Sequence, residues 1–117
     1  MHRAIYQTTP ALAIVHAHPP HAIALSLTHK ALVPSDVEGL ATFGRVPVLG
    51  WKTKVEPGGH ADLIARALTQ HRVIMVRGHG SFAIGQLLEE AYDFTTTLEE
   101  SCQVVCILRS LRAPAKE

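Results

Sequence analysis

The chain has 117 residues, 47% of them hydrophobic, which suits one small domain with a modest core of its own. Its 11 basic and 10 acidic side chains give a net charge of +1, and the basic ones are scattered, which argues against nucleic acid as a partner. No run of ~18 apolar residues marks a membrane span, and the N-terminal MHRAIYQTTP lacks the apolar centre of a signal peptide, so a soluble, cytoplasmic protein is expected.

Residues 2–8 read as the final turns of a helix closed by TTP. LAIVHAH, 12–18, is a short β-type run ended by Pro19 and Pro20, which cannot donate to a central ladder. Proline is accepted in a helix's first turn, so 20–29 reads as a helix packed on the sheet. Further on, PSDVEG reads as a turn or loop and VPVLGW, 46–51, as a strand. PGG at 57–59 is a loop that feeds HADLIARALTQH, where Leu63, Ala67 and Leu68 recur at helical spacing. RVIMV, 72–76, is a strand with buried-type residues on both faces, turned by RGHGS. From Gln86 to Arg112 the apolar positions Leu87, Leu88, Ala91, Phe94, Leu98, Cys102, Val105 and Cys106 advance in threes and fours. They predict one long amphipathic helix with Glu89, Glu90, Glu99 and Glu100 on its other faces, then a frayed APAKE tail. Cys102 and Cys106 lie one helix turn apart and read as buried free thiols, which fits a reducing compartment. Strands alternating with helices point to an α/β sheet covered on both faces.

Eight histidines stand in the chain, and their grouping carries the chemistry. Residues i and i+2 of a strand share a side, so His16 and His18 aim their imidazoles together, and Ala17 leaves the site open. Two such rings fit two corners of a zinc tetrahedron at ~2.0–2.1 Å. His79, between Gly78 and Gly80 at the end of the 72–76 strand, is the natural third ligand if that strand neighbours 12–18. Three neutral nitrogens would leave the ion its full charge and an open position, as in catalytic sites. Spacing alone leaves a second reading open, a histidine-rich bend at a strand end.

His21 reads as a helix-start residue or a partner behind the ligands, His29, His60 and His71 as surface residues, and Tyr6 and Trp51 as core or interface. Arg77 reads as a surface arginine with an anion role as the alternative, and Ser81 as a group able to bond a helix N-terminus.

HRAIYQTTPALAIVHAHPPHAIALS and VIMVRGHGSFAIGQLLEEAYDFTTTLEESCQV together resemble the class II aldolase/adducin head family, from residue 2 to about 108. The resemblance implies a three-layer α/β/α sandwich around a mixed, largely antiparallel sheet. It also implies Zn2+, or another divalent metal, held by His16, His18 and His79, and a cytoplasmic homo-oligomer such as a tetramer. The implied activity is zinc-dependent aldol cleavage of a ketose 1-phosphate, the metal stabilising the enediolate left when the bond breaks. Enzymes of the family carry a glutamate acid/base just before the segment matching HRAIYQ, where Met1 stands here. Residues 1–117 are therefore expected to be one partial domain, incomplete at its N-terminus and weakly active alone, with the catalytic acid/base unassigned. The alternatives are a sugar-phosphate dehydratase or epimerase using the same metal, or a non-catalytic interaction module of the adducin-head kind.

Overall fold

In the computed structural model, which describes residues 2–52 and 60–115, short strands alternate with helices along the chain. The order is α1 (His2–Thr8), β1 (Ala13–Ala17), α2 (Pro20–Ser26), β2 (Ala31–Leu32), α3 (Val37–Thr42) and β3 (Val46–Leu49). There follow α4 (Ala61–Ala67), β4 (Val73–Val76), β5 (Gly80–Gly85) and α5 (Leu88–Ala115). The strands form one sheet in the order β1-β5-β4-β3-β2. β3 and β4 run parallel, whereas β1 with β5, β5 with β4 and β2 with β3 are antiparallel.

Strand alternation sorts the apolar side chains into two layers. Ile14, Ile74, Val76 and Phe82 pack on one face with Ile5 of α1 and Ile64, Ala65 and Leu68 of α4. Val48, Val73, Met75 and Ala83 face the other way, against Ala22 and Leu25 of α2 and Ala91, Leu98 and Cys102 of α5. All four residues of β4 are buried, as a strand covered on both faces requires. The arrangement is the expected α/β/α sandwich around a mixed, largely antiparallel sheet.

Several expectations need correction. GSFAIG, for which no element is expected beyond the RGHGS turn, is the strand β5. With glycine at both ends its own propensity is weak, and its place is set by pairing with β1 on one side and β4 on the other. PSDVEG is not merely a turn: the Asp36 carboxylate accepts the Gly39 N–H at 3.0 Å and caps α3. The first strand is shorter than read, so His18 lies outside it, and α2 ends at Ser26, three residues before His29. The third strand stops at Leu49, and α5 begins at Leu88 and continues through Ala115, into the expected tail. The loop assigned to 57–59 falls outside the described residues.

Candidate metal centre

His16 belongs to β1 and sits opposite Phe82 of β5. Its ring stacks on the Phe82 ring with centroids 4.2 Å apart, and its Nδ1 donates to the Ser81 carbonyl at 2.9 Å. With Nδ1 serving as the donor, Nε2 of the neutral ring presents a lone pair. His18 lies one residue past the last ladder pair, Ala17 with Ser81, and is exposed.

His79 ends the three-residue loop that joins β4 to β5, and its N–H donates to the Val76 carbonyl at 2.9 Å. Gly78 has φ 69° in that loop, a left-handed conformation that suits glycine. The Gly78 N–H donates to the Ser26 hydroxyl at 2.8 Å, which ties the loop to the end of α2.

The strand carrying His16 does not neighbour β4, as the simplest route to a triad would have it. β5 lies between them, and the turn before β5 returns His79 to the end of β1. His16 Nε2 and His79 Nε2 are 3.3 Å apart, and the three ring centroids lie 5.0, 5.2 and 5.5 Å from one another. One ligand nitrogen from each of His16, His18 and His79 lies within 4.8 Å of the others. Nitrogens held ~2.0–2.1 Å from a tetrahedral ion stand roughly 3.3 Å apart, so the His16–His79 pair already has that spacing. The donor set fits a divalent ion that favours imidazole, with one tautomer fixed in advance by a backbone carbonyl.

Burial lowers the His16 pKa below its ordinary value of 6.5; the hydrogen bond to Ser81 opposes this, and the neighbouring His18, His79 and His2 reinforce it. A folded value below the unfolded one means that the unfolded chain binds more protons between the two. The metal-free chain is therefore expected to hold this share of its stability above ~6.5 and to lose it as pH falls through the folded value. Urea midpoints measured from pH 7.5 to 5 should fall on acidification, and less steeply in His16→Gln.

The remaining candidates take other places. His21 turns away from the cluster, its Nδ1 2.6 Å from a Glu99 carboxylate oxygen. His29 is no simple surface residue: its Nδ1 lies 3.1 Å from the Leu25 carbonyl, and its Nε2 accepts from Arg109. His60 is exposed and His71 half-buried. Tyr6 is largely exposed, whereas Trp51 is half-buried and donates its Nε1–H to the His29 carbonyl at 2.9 Å. The Arg77 guanidinium lies 4.1 Å over the Trp51 ring and donates to the Leu27 carbonyl at 3.3 Å. Ser81 lies in β5, not at a helix start, and serves the site through its carbonyl. Cys102 is buried and Cys106 half-buried, both free. Burial, helped by Glu99 and Cys106, pushes the Cys102 thiol up to about 12, so it stays protonated and is no nucleophile.

Glu99 is the residue that the periodicity of α5 concealed, because its class suggested a solvated face. A signal for it existed. Pro19 and Pro20 open α2 without a Ser, Thr, Asp or Asn at the cap, so the first N–H groups need an acceptor from elsewhere.

The chain belongs to the class II aldolase and adducin family: the model of the Class II Aldolase and Adducin N-terminal domain matches residues 1–106. Among solved structures it is similar to the L-fuculose-1-phosphate aldolase of Thermus thermophilus, at 44% identity and a TM-score of 0.87. That match covers 95% of this chain and 60% of the aldolase. Alpha-adducin of Rattus norvegicus is 30% identical over 106 residues, 89% of this chain and 14% of the adducin. A probable bifunctional methylthioribose-1-phosphate isomerase/methylthioribulose-1-phosphate dehydratase of Nocardia farcinica is 31% identical over 121 residues, 90% of this chain and 22% of that protein. The chain thus spans less than two thirds of each, 60% of the aldolase and under a quarter of the other two. Among the described residues no helix is long and apolar enough to cross a membrane.

Proposed function

We propose that this chain is the metal-binding part of an aldehyde-lyase that cleaves a ketose 1-phosphate of the fuculose-phosphate type. His16, His18 and His79 would hold the ion, zinc being the natural fit to three imidazoles. The observation that carries the reading is the meeting of their ligand nitrogens within 4.8 Å, in a chain 44% identical to an L-fuculose-1-phosphate aldolase. A bound divalent ion would supply Lewis-acid stabilisation to the oxygens of the substrate as charge develops on them.

The chain's own residues prepare that site. The Ser81 carbonyl fixes which His16 nitrogen is free, and the Phe82 ring fixes the imidazole plane. The Gly78–Ser26 hydrogen bond holds the His79 loop against α2. Three neutral ligands would leave a bound ion its double charge, available to polarise substrate oxygens.

Proton transfer is a separate task that needs a positioned acid or base. Among the described residues the cluster holds no carboxylate. Activity of these 117 residues alone is therefore expected to be weak, by ~10²–10⁴-fold for the missing proton transfer. A homo-oligomer is part of the same proposal, as is a cytoplasmic location.

Metal content of the purified chain, with aldol cleavage of ketose 1-phosphates followed by aldehyde release, tests the reading. Stoichiometric zinc, and slow cleavage that a chelator stops, are expected. A chain free of zinc, indifferent to replacement of His16 or His18, would sink it. The similarity to the Nocardia protein supports a second reading, sugar-phosphate dehydration at the same residues. Loss of water without carbon–carbon cleavage would select it. The adducin similarity supports a non-catalytic module, which zinc-independent stability and self-association would favour.

A further inference from the structure

The first turn of α2 is capped from a distance. Pro19, at the cap position, offers no side-chain acceptor, and Pro20 has no N–H. The next two donors, the backbone N–H groups of His21 and Ala22, both reach Glu99 Oε1, at 3.0 and 3.1 Å. The second oxygen lies 2.6 Å from His21 Nδ1 and 3.3 Å from the His21 N–H. One carboxylate on α5 thus takes two backbone donors and one ring donor from a helix far earlier in sequence. The Glu99 side chain is 23% exposed and the His21 side chain 40%, so part of the pair is shielded from water.

Two of the three clustered histidines depend on where α2 sits. His18 immediately precedes Pro19 and lies beyond the β1–β5 ladder, so no strand pairing holds it. His79 belongs to the loop that the Ser26 hydroxyl, at the other end of α2, ties down through Gly78. Fixing the start of α2 against α5 therefore fixes both. The ring bond has a second effect. His21 is the third histidine of the His16–His21 segment and a rival ligand, and its attachment to Glu99 turns it toward α5.

We propose that Glu99 is the positioning residue of the histidine cluster: it anchors α2 so that His18 reaches the metal, and it holds His21 out of competition. This rests on the metal reading given above. Glu99 touches neither metal nor substrate in this scheme; it acts through α2.

Zinc affinity of the 117-residue chain, measured by competition with a chromophoric chelator, and the visible spectrum of its cobalt(II) form supply the test. E99A is expected to weaken zinc binding roughly 10–100-fold, the range for residues that orient metal ligands from behind, and to alter the cobalt bands. H21A, which keeps the backbone cap, is expected to leave affinity within about threefold and the bands unchanged. The double variant E99A/H21A should recover the wild-type bands in part, because the rival ligand is gone. E99A with wild-type affinity and spectrum overturns the proposal. E99Q is expected to stay near wild type, because its amide can keep the backbone donors and, by donating to the other His21 tautomer, the ring contact as well. Should E99A fail to fold, E99M, which keeps the bulk and offers neither partner, decides instead: an unchanged spectrum and affinity in E99M would again overturn the proposal. A wild-type chain that binds no zinc defeats the metal reading and this inference together, whereas equal binding by wild type and E99A defeats this inference alone.

Discussion

Gly80→Ala is expected to cost the chain both stability and its metal site. A Cβ at residue 80 would stand 2.3 Å from the Ala17 carbonyl oxygen, 2.8 Å from His18 Cδ2 and 3.3 Å from His16 Cε1. The first contact is with backbone inside the β1–β5 ladder, which can give way only by parting the two strands. The other two press on clustered imidazoles, so any relief moves a ligand. Overpacking a well-filled site costs ~1–3 kcal/mol, occasionally more, and the upper part of that range fits a clash with backbone. The urea midpoint should fall accordingly, and zinc affinity should drop by roughly 10–100-fold, as for a disturbed ligand shell. Gly44→Ala provides the contrast. Its Cβ meets nothing within 4 Å, and the strain comes from φ +69° alone, so a loss of about 1 kcal/mol with zinc binding intact is expected. Gly80→Ala with wild-type zinc affinity would show that the end of β1 is far more yielding than this packing implies.

The same clash shows which parts of the site sequence could reveal. The alternation His16-Ala17-His18 and the Gly-His-Gly turn were legible because both obey local rules, strand period and glycine freedom. The partner relation between them was not, because it depends on β5. GSFAIG carries little strand propensity, and it becomes a strand only when β1 and β4 are there to pair with it. Sheet order is likewise a long-range property, fixed by Ile14, Phe82 and Ile74 packing on one face and Ala83 and Met75 on the other. Glu99 was hidden for a related reason. Helical periodicity sorts residues into apolar and polar faces, and it is silent about a polar residue whose partner is the uncapped start of another helix. The half-reading of Asp36 as a turn had a narrower cause: a helix of six residues is too short to show a period, although its cap was present.

Removing one clustered histidine should separate the metal's contribution from that of packing. Apparent zinc binding free energies of ~10–16 kcal/mol over four ligands imply about 3 kcal/mol or more per ligand, hence a loss of roughly 10²–10³-fold in affinity for His16→Ala or His79→Ala. Their effects on the metal-free chain should differ. The His16 ring covers Phe82 and bonds the Ser81 carbonyl, so His16→Ala exposes apolar surface and frees an acceptor, at a cost of about 1–2 kcal/mol. His79 directs its Nε2 toward the His16 Nε2, and its loop is held by backbone bonds at residues 78 and 79 that alanine at 79 would keep. His79→Ala should therefore leave the metal-free Tm almost where it was. Added zinc at about a hundred times its Kd should stabilise the wild type by about 2.7 kcal/mol and neither variant appreciably. Losses in affinity should also fail to add: with one ligand gone the remaining pair binds weakly, so the double variant should be little worse than either single one. A zinc-dependent rise in Tm that survives in His79→Ala would mean that the ion is held by His16 and His18 without the turn, and the convergence of β1 with the β4–β5 loop would then need another explanation.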